Sequence, residues 1–356
     1  MIDITTCKSI VISRFGGIGD IVMLTPLLRG IKSLFPEIKL ILVTDPISTT
    51  IAGKFPFVDE VYGFDKSLKS SKRLIQKLWK ADFVYLMDTL YRPSVIYWLA
   101  RIKHRVGIPH KRGKWLTQVI APEEWMNYAF EPYVYAMFFK NITGVDITKQ
   151  DRWDDFFYPE ISDEDKVRLE KIKHENNIKE YIVCSLETGT YQKDWLLEYW
   201  IQLFKALKER KKQVIIIGER GKRFTKCKFP DNVIDFRGKT NLLEVGYLIQ
   251  RAELLINGCS LPVHIANAMN TPVIGLYGSQ PDYRAMPQRI YKSLHSRAKC
   301  APCDFLFKGG HCENPFCMES ITPEIVIREV DNFYREGRPL GERNVKYGFC
   351  SEKKIE

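Results

Sequence analysis

The chain has 356 residues, 45% of them hydrophobic and 27% charged, which excludes a disordered, collagen-like or membrane-spanning protein and leaves room for two globular domains. Lys and Arg number 54 against 43 Asp and Glu, a formal net charge of +11, so the expected partners are anionic: nucleic acid, phosphorylated ligands or an acidic membrane surface. Between Lys66 and Trp115 stand 13 Lys and Arg against Asp82 and Asp88 alone, a local excess equal to the whole-chain value and the pattern of one basic face rather than the diffuse coat of a general nucleic-acid binder.

In chain order, the opening MIDITTCKSIVIS has Asp3 where a signal peptide would need an uninterrupted apolar core, so a cytoplasmic location is expected. No apolar run approaches the roughly 20 residues of a membrane-spanning helix, and any membrane contact is expected to be peripheral. The β-branched run SIVIS reads as a strand. It is followed by Arg14-Phe15-Gly16-Gly17-Ile18-Gly19-Asp20 and an apolar helical pattern. The glycines permit a tight turn at a helix start, but their spacing is not a dinucleotide fingerprint. Asp20 reads either as a helix N-cap or as a carboxylate placed to take a proton from a hydroxyl, and the residues alone favour the cap.

Strands KLILV (39–43) and FVYLM (83–87) continue the alternation of a parallel α/β sheet. Between them, residues 68–80 suit a basic helix with Leu68, Ile75, Leu78 and Trp79 on one stripe, either a core face or a membrane-surface face. A second basic group holds Arg101, Lys103, Arg105, Lys111, Arg112 and Lys114. The polar segment 146–177 reads as a linker.

A second strand series follows: YIVCS (181–185), QVIIIG (213–218), ELLIN (253–257) and PVIGLYG (272–278). In the loop after YIVCS, Thr188, Thr190 and Lys193 offer hydroxyl and ammonium donors to a diphosphate. Gly218-Glu219-Arg220-Gly221 ends the next strand, where a carboxylate can bind ribose hydroxyls. After ELLIN, Pro262 suits a helix first turn, leaving N–H groups near Ser260 for an anion, with His264 in reach. Of nine cysteines, Cys7, Cys184, Cys227, Cys259 and Cys350 are scattered. Cys300, Cys303, Cys312 and Cys317 cluster beside His311, which fits a local metal site better than a disulfide framework. Cys259 reads as a small buried thiol rather than a nucleophile.

These motifs in this order resemble glycosyltransferase family 9, the heptosyltransferases that build the inner core of lipopolysaccharide. The first loop is similar to the family's S-x-G-D segment, and 188–195 to its threonine-rich loop with a lysine before a tryptophan. Residues 236–242 are similar to its G-K-T-x-L segment, and 257–278 to its D-S-G-x-x-H signature ending in L-F-G. The resemblance covers roughly residues 8–330. It implies an α/β GT-B fold: two Rossmann-like doubly wound domains facing a central cleft. The acceptor domain would span 1–165, and the donor domain 176–330 with a Cys-rich loop at 300–317. A tail, 331–356, would pack back on the first domain.

The implied reaction is metal-independent, inverting transfer of heptose from ADP-heptose to an acidic glycolipid. Asp20 would be the general base. Thr188, Thr190 and Lys193 would hold the donor diphosphate, Glu219 the nucleoside end, and Ser260 and His264 the phosphates. Gly17, Arg105, Lys111 and Arg112 are the acceptor-side candidates. No cofactor is implied for catalysis; the four clustered cysteines are candidates for structural zinc or iron. Nucleic acid is not an expected partner, since no reading module is recognisable. Two residues depart from the family pattern: Cys259 and Leu261 stand where Asp and Gly are usual, removing a carboxylate from the donor pocket. Another nucleotide sugar, a protein acceptor, or a catalytically degenerate sugar-nucleotide-binding protein are the alternatives.

Overall fold

The β-branched runs become the central strands of two parallel sheets in the computed structural model, which describes residues 1–219, 221, 223–224, 227–285, 291–303, 312 and 316–340. Two units divide between Phe157 and Tyr158. In the first, β1 (Ser9–Ser13), α1 (Ile18–Leu34), β2 (Lys39–Thr44), α2 (Thr49–Ala52) and β3 (Glu60–Gly63) are followed by α3 (Leu68–Lys77) and β4 (Phe83–Leu86). Then come α4 (Tyr91–Leu99), β5 (His104–Gly107), β6 (Gln118–Val119) and α5 (Glu131–Thr143). The sheet order is β3-β2-β1-β4-β5-β6.

The second unit runs α6 (Asp163–Glu175), β7 (Tyr181–Ser185), α7 (Leu197–Glu209), β8 (Gln213–Ile216), β9 (Val233–Asp235) and α8 (Leu242–Gln250). It continues with β10 (Leu254–Gly258), α9 (Leu261–Met269), β11 (Val273–Tyr277), α10 (Asp282–Ala285), β12 (Lys292–His295) and α11 (Pro323–Arg335). Its order, β12-β11-β10-β7-β8-β9, is the first pattern read from the other edge. Chain direction therefore switches at β1/β4 and at β7/β10, the places where doubly wound sheets open a crevice at their strand ends.

Burial explains which strands the sequence revealed. Ile10, Val11 and Ile12, like Leu254, Leu255 and Ile256, are fully buried on both faces of their sheets, hence their unbroken apolar runs. The edge strands β3, β6, β9 and β12, and β5 beside β6, are short and half-polar, and were not anticipated.

Three expectations need correction. Residues 146–177 are not a linker throughout: α6 lies inside them, capped by the Ser162 hydroxyl on the Asp165 N–H, with Leu169 buried and contacts to α8. Its charges are a solvated helix face. The segment from 331 to 340 is not a tail directed to the first unit. Phe333 is buried in the second unit's core, Arg210 pairs with Asp331 at 2.6 Å, and Tyr334 donates to Glu253 at 2.5 Å. Residues 341–356, with Cys350, lie outside the described residues. On α3, Leu74 meets the core, and so does Leu78 just beyond it, whereas Leu68 is 91% exposed, because the first turn, held by the Ser67 cap, lies beyond that buried cluster.

Arg112, expected on the acceptor side, is fully buried. Its guanidinium donates to Asp88 Oδ1 at 3.2 Å, to the Leu90 carbonyl at 3.1 Å, to the Ile108 carbonyl at 2.9 Å and to the Asp88 carbonyl. It clamps the loop after β5 to the end of β4 and has no surface left for a ligand. Burial pushes the Asp88 carboxyl up, with Arg112 opposing. Arg112→Ala would strand that carboxylate, so a loss of about 3–5 kcal/mol in urea unfolding is expected. Combining Asp88→Asn with Arg112→Met should recover much of it.

Candidate active site

The β1–α1 loop arranges a carboxylate and a cation at the end of the first switch point. The N-cap of α1 is Gly17, so Asp20 stands in the first turn and not at the cap. Its Oδ2 accepts the Gly17 N–H at 2.7 Å and its Oδ1 accepts Arg14 Nη2 at 3.1 Å. Gly16 is in the left-handed region at φ +151, and a Cβ there would lie 2.3 Å from Asp20 Oδ2. Only glycine fits, which is the physical reason for the motif. The Gly16 N–H donates to Asp45 Oδ2 at 2.8 Å.

Arg14 is shared. Its Nη2 also reaches Glu131 Oε1, on the first turn of α5, at 3.2 Å, and Tyr135 donates to the same oxygen at 2.7 Å. Burial raises the Asp20 carboxyl above the usual range; Arg14 pulls it back, and Glu131 pushes it up again. Arg14 itself is held protonated by Tyr135, Asp20, Glu131 and Asp88 against the cost of burial. A carboxylate with a raised pKa and a fixed orientation is a competent proton acceptor at neutral pH.

In the second unit the loops after β7, β8 and β10 converge. A Cβ at Gly258 would stand 3.1 Å from the Lys193 carbonyl and 3.4 Å from Thr188 Cγ2, so the end of β10 and the threonine loop are in close approach. Asn257, fully buried, accepts the Ser185 N–H at 3.0 Å and donates to Ser260 Oγ at 2.8 Å. Ser260 is thereby fixed as the N-cap of α9; Pro262 has no N–H and the Val263 N–H donates to the Ser260 carbonyl at 3.1 Å, which leaves the Leu261 N–H as the main-chain donor of that turn. His264 is buried on that helix. Thr188, the Lys193 carbonyl and Ser260 are thus gathered around one strand end, with His264 one turn into α9.

Other expected residues sit differently. The Thr188 hydroxyl donates to the Thr190 carbonyl and to Asp194 Oδ1, at 2.7 and 2.9 Å, shaping its own loop. Thr190 caps the short turn Tyr191–Lys193. Glu219 is exposed after β8; Arg220 lies outside the described residues. Arg105 donates to the Trp115 carbonyl at 2.7 Å, bracing the turn that carries exposed Lys111.

Four residues that the sequence did not single out complete these loops. Arg14 and Glu131 surround Asp20. Arg223 pairs with Asp194 at 2.5 Å and donates to the Thr188 carbonyl at 2.7 Å. Glu187 Oε1 accepts the N–H groups of Arg223 and Phe224 at 3.2 and 3.0 Å, latching the β8 loop to the β7 loop. A charged residue beside a motif was the only signal.

Cys300 is exposed and Cys317 buried, with Cys303 and Cys312 between. Burial, then Cys303, Cys300 and Cys312, push the Cys317 thiol up, so the four are electrostatic neighbours. No group of three or more His, Cys, Asp or Glu among the described residues lies in metal-holding geometry; His311 lies outside them. No helix among the described residues is long and apolar enough to cross a membrane.

The profile of "Glycosyltransferase family 9 (heptosyltransferase)" matches residues 71–304. The chain belongs to glycosyltransferase family 9. It is a glycosyltransferase, and its paired six-stranded sheets match GT-B structures. It is 24% identical over 299 residues to the lipopolysaccharide core heptosyltransferase OpsX of Haemophilus influenzae, covering 79% of this chain and 82% of that one. To lipopolysaccharide heptosyltransferase 1 of Campylobacter coli it is 23% identical, over 91% of this chain and 98% of that one. Among solved structures, a family 9 glycosyltransferase from Veillonella parvula superposes with a TM-score of 0.79 at 17% identity, covering 94% of this chain and 99% of that one. The E. coli heptosyltransferase WaaC with ADP-2-deoxy-2-fluoro heptose gives 0.64 at 15% identity, over 91% and 99%.

The Arg14 network makes a prediction with opposite signs. Glu131→Gln removes the charge that competes for Arg14, so the Asp20 carboxyl should titrate lower than in the parent protein. Arg14→Met removes its counter-charge and should make it titrate higher. Carboxyl NMR titration checks both; shifts in one direction for both variants would overturn the shared-cation account.

Proposed function

We propose that the protein is an inverting heptosyltransferase that moves a heptose from an ADP-activated donor to a hydroxyl of an acidic glycolipid of the lipopolysaccharide-core type. The observation that carries this is the close approach of the threonine-lysine loop to the end of β10, just before α9, which suits a diphosphate site in a chain similar to heptosyltransferases. The WaaC neighbour with a bound ADP-sugar analogue supports the donor class.

In the proposed step Asp20 takes the proton of the acceptor hydroxyl. The freed oxygen pair forms a bond to the anomeric carbon, and the bond from that carbon to the diphosphate oxygen breaks. The electron pair leaves with ADP. Lys193 and the helix start at Ser260 would stabilise the charge growing on the diphosphate, with His264 and the Thr188–Thr190 loop lining it and Glu219 at the nucleoside end. Gly17, Lys111 and the outer part of Arg105 are the proposed acceptor contacts; Arg112 is not among them.

Cys300, Cys303, Cys312 and Cys317 are a donor set whose chemistry suits structural zinc or iron; the described residues do not bring three of them into metal-holding geometry, so binding would require the thiols to draw together. A bound ion would staple the loop after β12. Purified protein should carry about one equivalent of metal per chain; a few tenths or less would count against the site.

A second reading, a sugar-nucleotide-binding protein without turnover, draws on Cys259 and Leu261. Release of ADP decides between them. Asp20→Asn should lower transfer by on the order of 10²–10⁴ while donor affinity, read by calorimetry, stays near its parent value. Lys193→Ala should weaken donor affinity and rate together. Full turnover in Asp20→Asn would sink the base assignment, and absence of ADP release with every nucleotide sugar and acceptor would favour the binding protein.

A further inference from the structure

The basic stretch of the first unit carries a second property that the transfer chemistry does not use. Its exposed face bears large apolar side chains: beside Leu68, Trp79 is 49% exposed, Tyr91 47%, Trp98 46% and Leu99 45%. Single exposed apolar residues are ordinary, but these are joined. The Trp98 and Trp115 rings lie 4.8 Å apart, and Tyr91 meets Trp115 edge-on at 6.3 Å. The Arg101 N–H donates to the Trp98 carbonyl, and its guanidinium lies 5.4 Å over Trp79. Arg92 donates to the Lys66 carbonyl at 2.6 Å, closing the path back to Leu68 along the packed helices α3 and α4.

Around this apolar strip the charge is predominantly positive. Lys69, Lys72, Lys77, Lys80, Arg101 and Lys114 are all exposed, and none has an acidic partner within ion-pair distance among the described residues. Few acids stand near them: Asp65 is at the N-terminus of α3 and Glu60 is paired with Lys39. Asp82 accepts the N–H groups of Lys8 and Ser9 at 2.9 and 3.0 Å, and Asp65 is bound by Ser67 and Ser70. Core packing does not account for the strip, because Leu74 and Leu78 serve the core.

Half-exposed indole rings among flexible, unpaired lysines match a lipid headgroup layer, where rings lie at the interface and ammonium groups meet phosphates. We propose that the α3–α4 face docks on an anionic phospholipid bilayer, with Trp79 and Trp98 seated at headgroup depth and the surrounding lysines on lipid phosphates. A duplex or single-stranded nucleic acid would also meet the charge, but Leu68 and Leu99 offer it nothing to read. The proposal stands apart from the donor and base assignments, since none of these residues belongs to them.

The test uses the full-length protein sedimented with vesicles of phosphatidylcholine alone or mixed with phosphatidylglycerol. Binding is expected only to the anionic vesicles and should weaken as salt is raised. Changing Lys69, Lys72 and Lys77 to Glu should lower vesicle partition by about tenfold or more without changing turnover of a lipid-free acceptor, a readout that separates failure here from failure of the transfer reading. Trp79→Ala with Trp98→Ala should lower partition and reduce quenching of tryptophan fluorescence by brominated lipid. Equal binding to neutral vesicles, or partition unmoved by both variants, would overturn the proposal. So would binding of DNA or RNA by a protein that ignores the anionic vesicles.

Discussion

Parallel pairing is the constraint on which the rest of this molecule depends. Strands that run the same way must be joined by crossovers, so each strand delivers its following loop to the same edge of the sheet. In both units the two strands at the switch point, β1 with β4 and β7 with β10, are buried on both faces. Their interiors have no freedom to carry polar chemistry. Whatever the chain needs for binding is therefore concentrated in a few residues just past each strand end, and those loops are the ones that hold Asp20, Asp88, Thr188 and Ser260.

That crowding makes charge sharing unavoidable. Arg14 serves Asp20 and Glu131 at nearly equal distances, 3.1 and 3.2 Å, so neither carboxylate is fully neutralised. Asp88, one strand away, has its own cation in Arg112. Three carboxylates and two guanidinium groups at one strand edge leave Asp20 the group whose protonation is most open to adjustment. Burial pushes both Asp20 and Asp88 up despite their arginines; Asp20 differs in that Glu131 draws on the same cation and adds a like charge. That difference comes from the position of α5, which brings Glu131 in from a remote part of the sequence.

The sequence made the central architecture legible because buried parallel strands announce themselves as unbroken β-branched runs, and the loops after them carry glycine, threonine and proline for reasons of backbone geometry. Gly16 is required by a close approach that a Cβ would block, and Gly258 stands in a tight one; both motifs could be read from the chain. Edge strands were not legible, since a half-polar run of three or four residues has no distinctive period. Arg112 was misread because a cation in a basic stretch looks solvated until its partner, 24 positions away, is known. Arg223 and Glu187 were passed over for the same reason: their roles exist only once two loops meet.

The departures at Cys259 and Leu261 fall on side chains, whereas the proposed anion site at α9 rests on the helix N-terminus and the position of its N-cap. Ser260 is held by Asn257, which is in turn held by the β7 main chain, so the helix start keeps its orientation without a carboxylate at 259. Pro262 fixes the first turn whatever stands at 261. Cys259 is buried and contributes volume rather than charge. Cysteine at 259 therefore leaves the neighbourhood of the proposed diphosphate site without a carboxylate. The main-chain frame of the helix start does not depend on that side chain, so on the proposed reading the difference bears on sugar preference more than on diphosphate binding.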